Sequence, residues 1–200
     1  MNKYISILTA TITAFFFVTP ALAEKISLDD LSEYINNLPM LKADFKQINS
    51  DGSQDLGQLY MRRPGKMRLE YAAPNNALVI VGSNSVAIYD DKSKNGPSIF
   101  PLKSTPLNLL LAKNVDLKNN IMISKHIENQ EFTFVTARDP KGKAQGKIEM
   151  IFSNNPITLR EWIITDQSNQ ETKVILEKLR EQTSLPWRLF SISANKPDID

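Results

Sequence analysis

The sequence predicts a mainly β protein with some α: an antiparallel meander of short strands that must roll into a barrel or half-barrel to hide its apolar face. Three observations carry this. Residues 57–71 alternate apolar and polar side chains on either side of Pro64-Gly65, as two half-buried strands joined by a tight turn do. From Ile121 onward, strand-like runs follow one another with only hairpin-sized polar connections between them. Helical spacing is confined to two short segments, one near the start and one around Leu107 to Leu111.

Taken in order, the chain opens with Lys3, an uncharged stretch from Tyr4 to Val18, and the small-residue pattern Ala21-Leu22-Ala23. An apolar run of about 15 residues is short of the ~20 that a spanning helix needs, so residues 1–23 read as a cleaved export signal. Residues 24–200 then form a single domain with a substantial core. One lysine and no acid leave with the signal, and the net charge falls from +2 to +1. That balance argues against nucleic acid as a partner. With zero cysteines there is no disulfide frame, no thiol chemistry, no zinc-thiolate site and no lipid-attachment cysteine. Such a composition fits the periplasm.

Ser27 is placed to cap a helix from Leu28 to Leu38, with Asp29 and Asp30 in its first turn and Pro39 as its stop. Leu41, Ala43, Phe45 and Gln47 then alternate with Lys42, Asp44 and Lys46, giving a strand that enters the Asp51-Gly52-Ser53 turn. After the Pro64-Gly65 hairpin, Ala77 to Val81 is a continuous apolar run, and Val86, Ile88 and Tyr89 form its return. A polar loop follows at 90–97. Ser104 or Thr105 can cap the next helix, with Pro106 in its first position and Leu107, Leu109, Leu110 and Leu111 behind it. The remaining strands are expected at Ile121–Ile123, Phe132–Val135, Ile148–Phe152, Leu159–Ile164 and Val174–Leu179. About ten strands result.

The parts of an enzyme are missing. His126 is the sole histidine, with no nucleophile beside it in the sequence, and reads as a surface or packing residue. No nucleophile elbow or phosphate-cradling glycine loop is present. Asp51 to Asp55 lacks the following glycine and distant glutamate of a calcium loop, so it reads as a turn, and neither metal nor cofactor is expected. What remains is a surplus of large, pliable apolar side chains spread over many strands. They either fill an ordinary barrel core or line a ligand cavity.

The hairpin residues Arg63-Pro64-Gly65, with Arg68 and Tyr71 behind them, resemble the Arg-Pro-Gly-x-x-Arg-x-x-Tyr signature of the outer-membrane lipoprotein carrier family (LolA-like). Pro74, Leu78 to Gly82, Tyr89-Asp90, Phe45-x-Gln47, Thr105-Pro106-x-x-Leu109-Leu110, Leu159-Arg160-x-Trp162, Asp166 and Phe190 occur in that family's order. The resemblance implies an incomplete, half-open antiparallel β-barrel closed by a lid of short α-helices. It also implies a monomeric periplasmic chaperone that is not an enzyme. Its cargo would be triacylated lipoproteins, loaded by an inner-membrane ABC-type exporter and delivered to an outer-membrane receptor where one exists.

On that resemblance Arg63 closes the lid, Met67 contacts cargo and exporter at the mouth, and Leu107, Leu109 and Leu110 belong to the lid helix. Phe45, Leu69, Tyr71, Leu78, Val79, Ile80, Phe134, Met150, Phe152 and Trp162 are expected around the acyl-chain cavity. Two other readings share the same architecture: a periplasmic regulator that senses lipids or lipoproteins, and a fatty-acid-binding protein.

Overall fold

Eleven strands form one antiparallel sheet in this computed structural model, which describes residues 25–90, 96–129, 131–139 and 146–195. The expected export signal lies outside the described residues. Among them, no helix is long and apolar enough to cross a membrane.

The chain runs α1 (Leu28–Asn36), β1 (Met40–Ile48), β2 (Gln54–Arg62), β3 (Lys66–Tyr71), β4 (Leu78–Gly82), β5 (Ser85–Tyr89) and β6 (Ser98–Pro101). After a 3-10 turn at Leu102–Ser104 come α2 (Leu107–Leu111), β7 (Ile123–Glu128), β8 (Phe132–Arg138), β9 (Lys147–Asn154), β10 (Ile157–Thr165) and β11 (Glu171–Gln182). In space the strands lie in the order β6-β5-β4-β3-β2-β1-β11-β10-β9-β8-β7. Two meanders, β1 to β6 and β7 to β11, are thus joined side by side through the β1–β11 ladder. The barrel is left open between β6 and β7, and the connection between those two edge strands carries α2.

Side-chain alternation decides what each face does. Leu41, Ala43 and Phe45 of β1 stand opposite Met61, Leu59 and Gly57 of β2 and share the buried inner face with Met67 and Leu69 of β3. Met150, Phe152, Leu159, Trp162, Val174 and Leu176 continue that core on the other half. Gly57 is required where it stands: a Cβ there would meet the Phe45 ring at 2.6 Å and press on the Glu70 carbonyl. The missing side chain admits the Phe45 ring, which meets Tyr71 edge to face at 5.1 Å.

The outer face has a smaller core of its own. Ile80, Ala87 and Tyr89 pack there with Leu78 and Ile192 under the C-terminal segment. Arg68, almost wholly buried, donates to the Leu189 carbonyl at 3.1 Å and to Asn195 Oδ1 at 3.0 Å. The Tyr89 hydroxyl donates to the Ile192 carbonyl at 2.8 Å, which fixes the strap lengthwise.

The first helix is capped as its sequence implies, with the Ser27 hydroxyl accepting from the Asp30 amide at 3.0 Å. It ends two residues earlier than Pro39 alone would require. At α2 the expected Ser or Thr cap is not used: Pro106 itself precedes the helix, with no side-chain cap. The Ser104 and Thr105 hydroxyls bond instead to Pro101 and Leu102 carbonyls in their own turn. The strand expected at Ile121–Ile123 runs Ile123–Glu128, and β6 adds one that the alternation did not reveal.

Candidate functional site

The roof is built on the β2–β3 turn. Gly65, at φ 67° with open space where a Cβ would stand, donates its amide to the Leu111 carbonyl at 2.9 Å. Arg63 donates from Nε to Leu110 O at 2.9 Å, from Nη2 to Ala112 O at 2.6 Å, and from Nη1 to Ile35 O. Three consecutive carbonyls at the C-terminal end of α2, which helix geometry leaves without intrahelical partners, are therefore met by this one turn. The same guanidinium reaches α1 through Ile35. Burial pushes the Arg63 pKa below its usual value, although a guanidinium remains charged at physiological pH.

The first helix is held from other sides too. Asn36 bonds the Val115 backbone twice, donating from Nδ2 to O at 2.8 Å and accepting from N at 3.0 Å. Tyr34 Oη accepts from the Leu159 amide at 2.9 Å, where β10 bulges between Leu159 and Glu161. Burial raises the Tyr34 pKa, with that backbone bond working against it.

Below the roof, between β3–β5 and β10–β11, lies a cavity of about 510 Å³. Volumes of roughly 300–1,000 Å³ are usual for sites that take small ligands. Its walls are Leu69, Val79, Val86 and Ile88 on one side and Trp162, Ile164 and Val174 on the other, with Leu107 and Phe100 toward the roof. It runs on into a second space of about 670 Å³ that shares Gln47, Tyr71, Val79, Ile88 and Thr172 with it and adds Asp55, Asn75 and Asp90. At this junction the Tyr71 hydroxyl donates to Gln47 Oε1 at 2.6 Å. Burial, and then the nearby Asp55 carboxylate, push the Tyr71 pKa up to about 12.

The expected cavity residues divide into three groups. Leu69, Tyr71, Val79 and Trp162 face the open space, as does Leu107 from the lid. Phe45, Met150 and Phe152 lie on the inner face but within the packed core, where Phe152 meets Tyr34 edge to face at 6.0 Å.

Leu78, Ile80 and Phe134 require correction. Leu78 and Ile80 belong to the outer core beneath the C-terminal strap, and Phe134 is paired with Ile151 one residue out of phase with the inward Val135 and Ala137. Met67 also differs from expectation. It is fully enclosed beside Met61 and Val81 rather than exposed at a mouth. Leu109 and Leu110 are buried in the main core with the sheet's inner face.

Val86, Ile88, Phe100, Thr172 and Val174 were not singled out as site residues. A signal for several of them was available: once Leu69 is inward, its cross-strand partner Val79 must be, and so must Ile88 opposite Val79.

The site is thus an apolar space inside an open sheet, covered by a tethered segment. Comparison makes this specific: residues 36–193 match the model of the family described as "Outer membrane lipoprotein carrier protein LolA", and the chain belongs to that family. An outer-membrane lipoprotein carrier protein of Dechloromonas aromatica is 30% identical over 206 residues, covering 96% of this chain and 94% of its own. One from Chromobacterium violaceum is 26% identical, with 98% and 96% covered. Among solved structures, the LolA superfamily protein NE2245 from Nitrosomonas europaea is similar at 8% identity and a TM-score of 0.41, with 83% of this chain and 98% of that one covered.

Proposed function

We propose that this protein is a periplasmic chaperone that accepts lipoproteins released from the inner membrane, shelters their acyl chains beneath α2 and delivers them to the outer membrane. An ABC-type exporter would load it, a receptor would take the cargo where one exists, and the carrier would act as a monomer with no covalent step. The observation that supports this most is the apolar cavity under a lid whose end is tied by Arg63.

The physical need is large. At about 0.8 kcal/mol per methylene, a single acyl chain of ordinary length resists transfer into water by roughly 10 kcal/mol. A carrier must replace that environment without matching the membrane's hold. Hydrogen bonds that close the empty lid serve this balance, because the free energy of reclosing offsets part of the acyl-chain binding and leaves the cargo easier to hand on.

Mass spectrometry of the protein purified from its native periplasm tests the reading. A co-purifying triacylated lipoprotein is the expected result. Protein that carries only phospholipid or free fatty acid, in cells making lipoproteins, overturns it.

A further inference from the structure

The inward rows of the sheet change character at one level. On β1, Leu41, Ala43 and Phe45 give way to Gln47; on β3, Met67 and Leu69 give way to Tyr71; on β11, Leu176 and Val174 give way to Thr172. Asp55 on β2, Asp90 after β5 and Asp166 after β10 line the same end of the space. The well is therefore apolar toward α2 and ringed by polar groups at its other end.

The ring has a particular chemistry. Gln47 Nε2 donates to Asn49 Oδ1 at 2.7 Å, which orients its amide and leaves its second N–H to give. Asn49 in turn donates to Asp55 Oδ2 at 2.9 Å, and Asp166 accepts from the Ser168 and Gln170 amides. Both carboxylates are thus held by neutral donors. Among the described residues that line this space there is no lysine or arginine. The two hydroxyls nearer the roof, Ser104 and Thr105, are used by their own turn.

From this arrangement we infer that the ring is a selective collar. It admits acyl chains joined through uncharged ester or amide carbonyls, with tails toward α2 and the linkage at Gln47 and Tyr71, and it turns away chains that end in carboxylate or phosphate. The Gln47 amide, fixed at Oε1 by the Tyr71 hydroxyl and at Nε2 by Asn49, has one N–H left to donate to a carbonyl oxygen. The Asp55 and Asp166 carboxylates at this end of the space repel an anionic head. This inference rests on the acyl-chain reading of the cavity, and it separates a lipoprotein carrier from a fatty-acid carrier on electrostatic grounds.

The test loads the protein with the uncharged fluorophore N-phenyl-1-naphthylamine and displaces it with 1-palmitoylglycerol or with palmitate at neutral pH. The chain is the same; only the head differs. The glycerol ester is expected to displace the probe at a concentration about tenfold lower than palmitate, and raising the salt should shrink the gap. Replacing Asp55 and Asp166 together by asparagine is expected to improve palmitate alone. Gln47→Leu with Tyr71→Phe is expected to weaken the ester alone. Equal displacement by both lipids in the unaltered protein, or a preference for palmitate, overturns the collar while leaving the cavity reading intact. Displacement by neither lipid overturns both.

Discussion

Arg63 Nε and the Leu110 carbonyl meet at 2.9 Å although 47 residues separate them in sequence, so the β2–β3 turn and the lid helix are tied by the side chain of one residue. Bonds from a charged donor contribute about 1.5–3 kcal/mol each, and Arg63→Leu removes the donors to Ile35, Leu110 and Ala112 together. Amides of 107–112 are expected to exchange with solvent at least tenfold faster in that variant. Lipoprotein should still load, but release to the acceptor should slow. Arg63→Lys keeps the charge without the fork and is expected to fall between the two. Unchanged exchange in Arg63→Leu would show that packing and the Gly65–Leu111 backbone bond hold the lid without the guanidinium.

Gly57→Ala probes the inner core independently of the lid. The added methyl would meet both the Phe45 ring and the Glu70 backbone, and backbone cannot swing aside as a side-chain end can. Overpacking of this kind costs about 1–3 kcal/mol. For a domain of this size each kcal/mol lowers the melting temperature by roughly 2–4 °C. Calorimetry should therefore register a clear drop, and a variant that melts with the wild type would contradict the close approach.

Tyr71 makes stability depend on pH at the alkaline end. Its folded pKa, about 12, lies above the ordinary value of 10.0, so the protonated phenol is favoured by folding. The corresponding stability is fully present below pH 10 and is lost as pH rises from there through the folded value. The shift corresponds to about 2–3 kcal/mol. Urea midpoints measured from neutral to strongly alkaline pH should fall more steeply in wild type than in Tyr71→Phe. Parallel curves would count against the burial of that hydroxyl.

Strand positions were largely legible because their period-two alternation reflects one buried and one solvated face. The exceptions have the same cause. In β4, Leu78-Val79-Ile80-Val81 is apolar on both faces, since the C-terminal strap covers the outer side, and alternation then cannot tell inward from outward. Phe134-Val135 blurs β8 in the same way. The edge strand β6 escaped notice because all four of its residues are exposed and it ends in Pro101. Arg63 was singled out through the hairpin motif, but its three carbonyl partners depend on where α1 and α2 dock, and no local pattern encodes that. The depth of Met67 was hidden for the same reason: alternation gives a side, not a distance from the surface.

On the outer face, Arg68 and Trp187 offer a contrast that bulk hydrophobicity would predict the wrong way round. Trp187 is the larger apolar side chain but is 66% exposed, so its removal forfeits little burial. Arg68 is 8% exposed and bonds to Leu189, Asn195 and Glu70, the last at 2.6 Å. Arg68→Met keeps most of the volume but leaves the Leu189 carbonyl and the Asn195 amide oxygen without that donor under the strap. A loss of about 2–3 kcal/mol is expected, with faster exchange over 187–195. Trp187→Ala is expected to stay within about 0.5 kcal/mol of wild type. Urea midpoints for the two variants decide the matter: should Trp187→Ala prove the more damaging, the strap is held by its aromatic and not by the arginine beneath it.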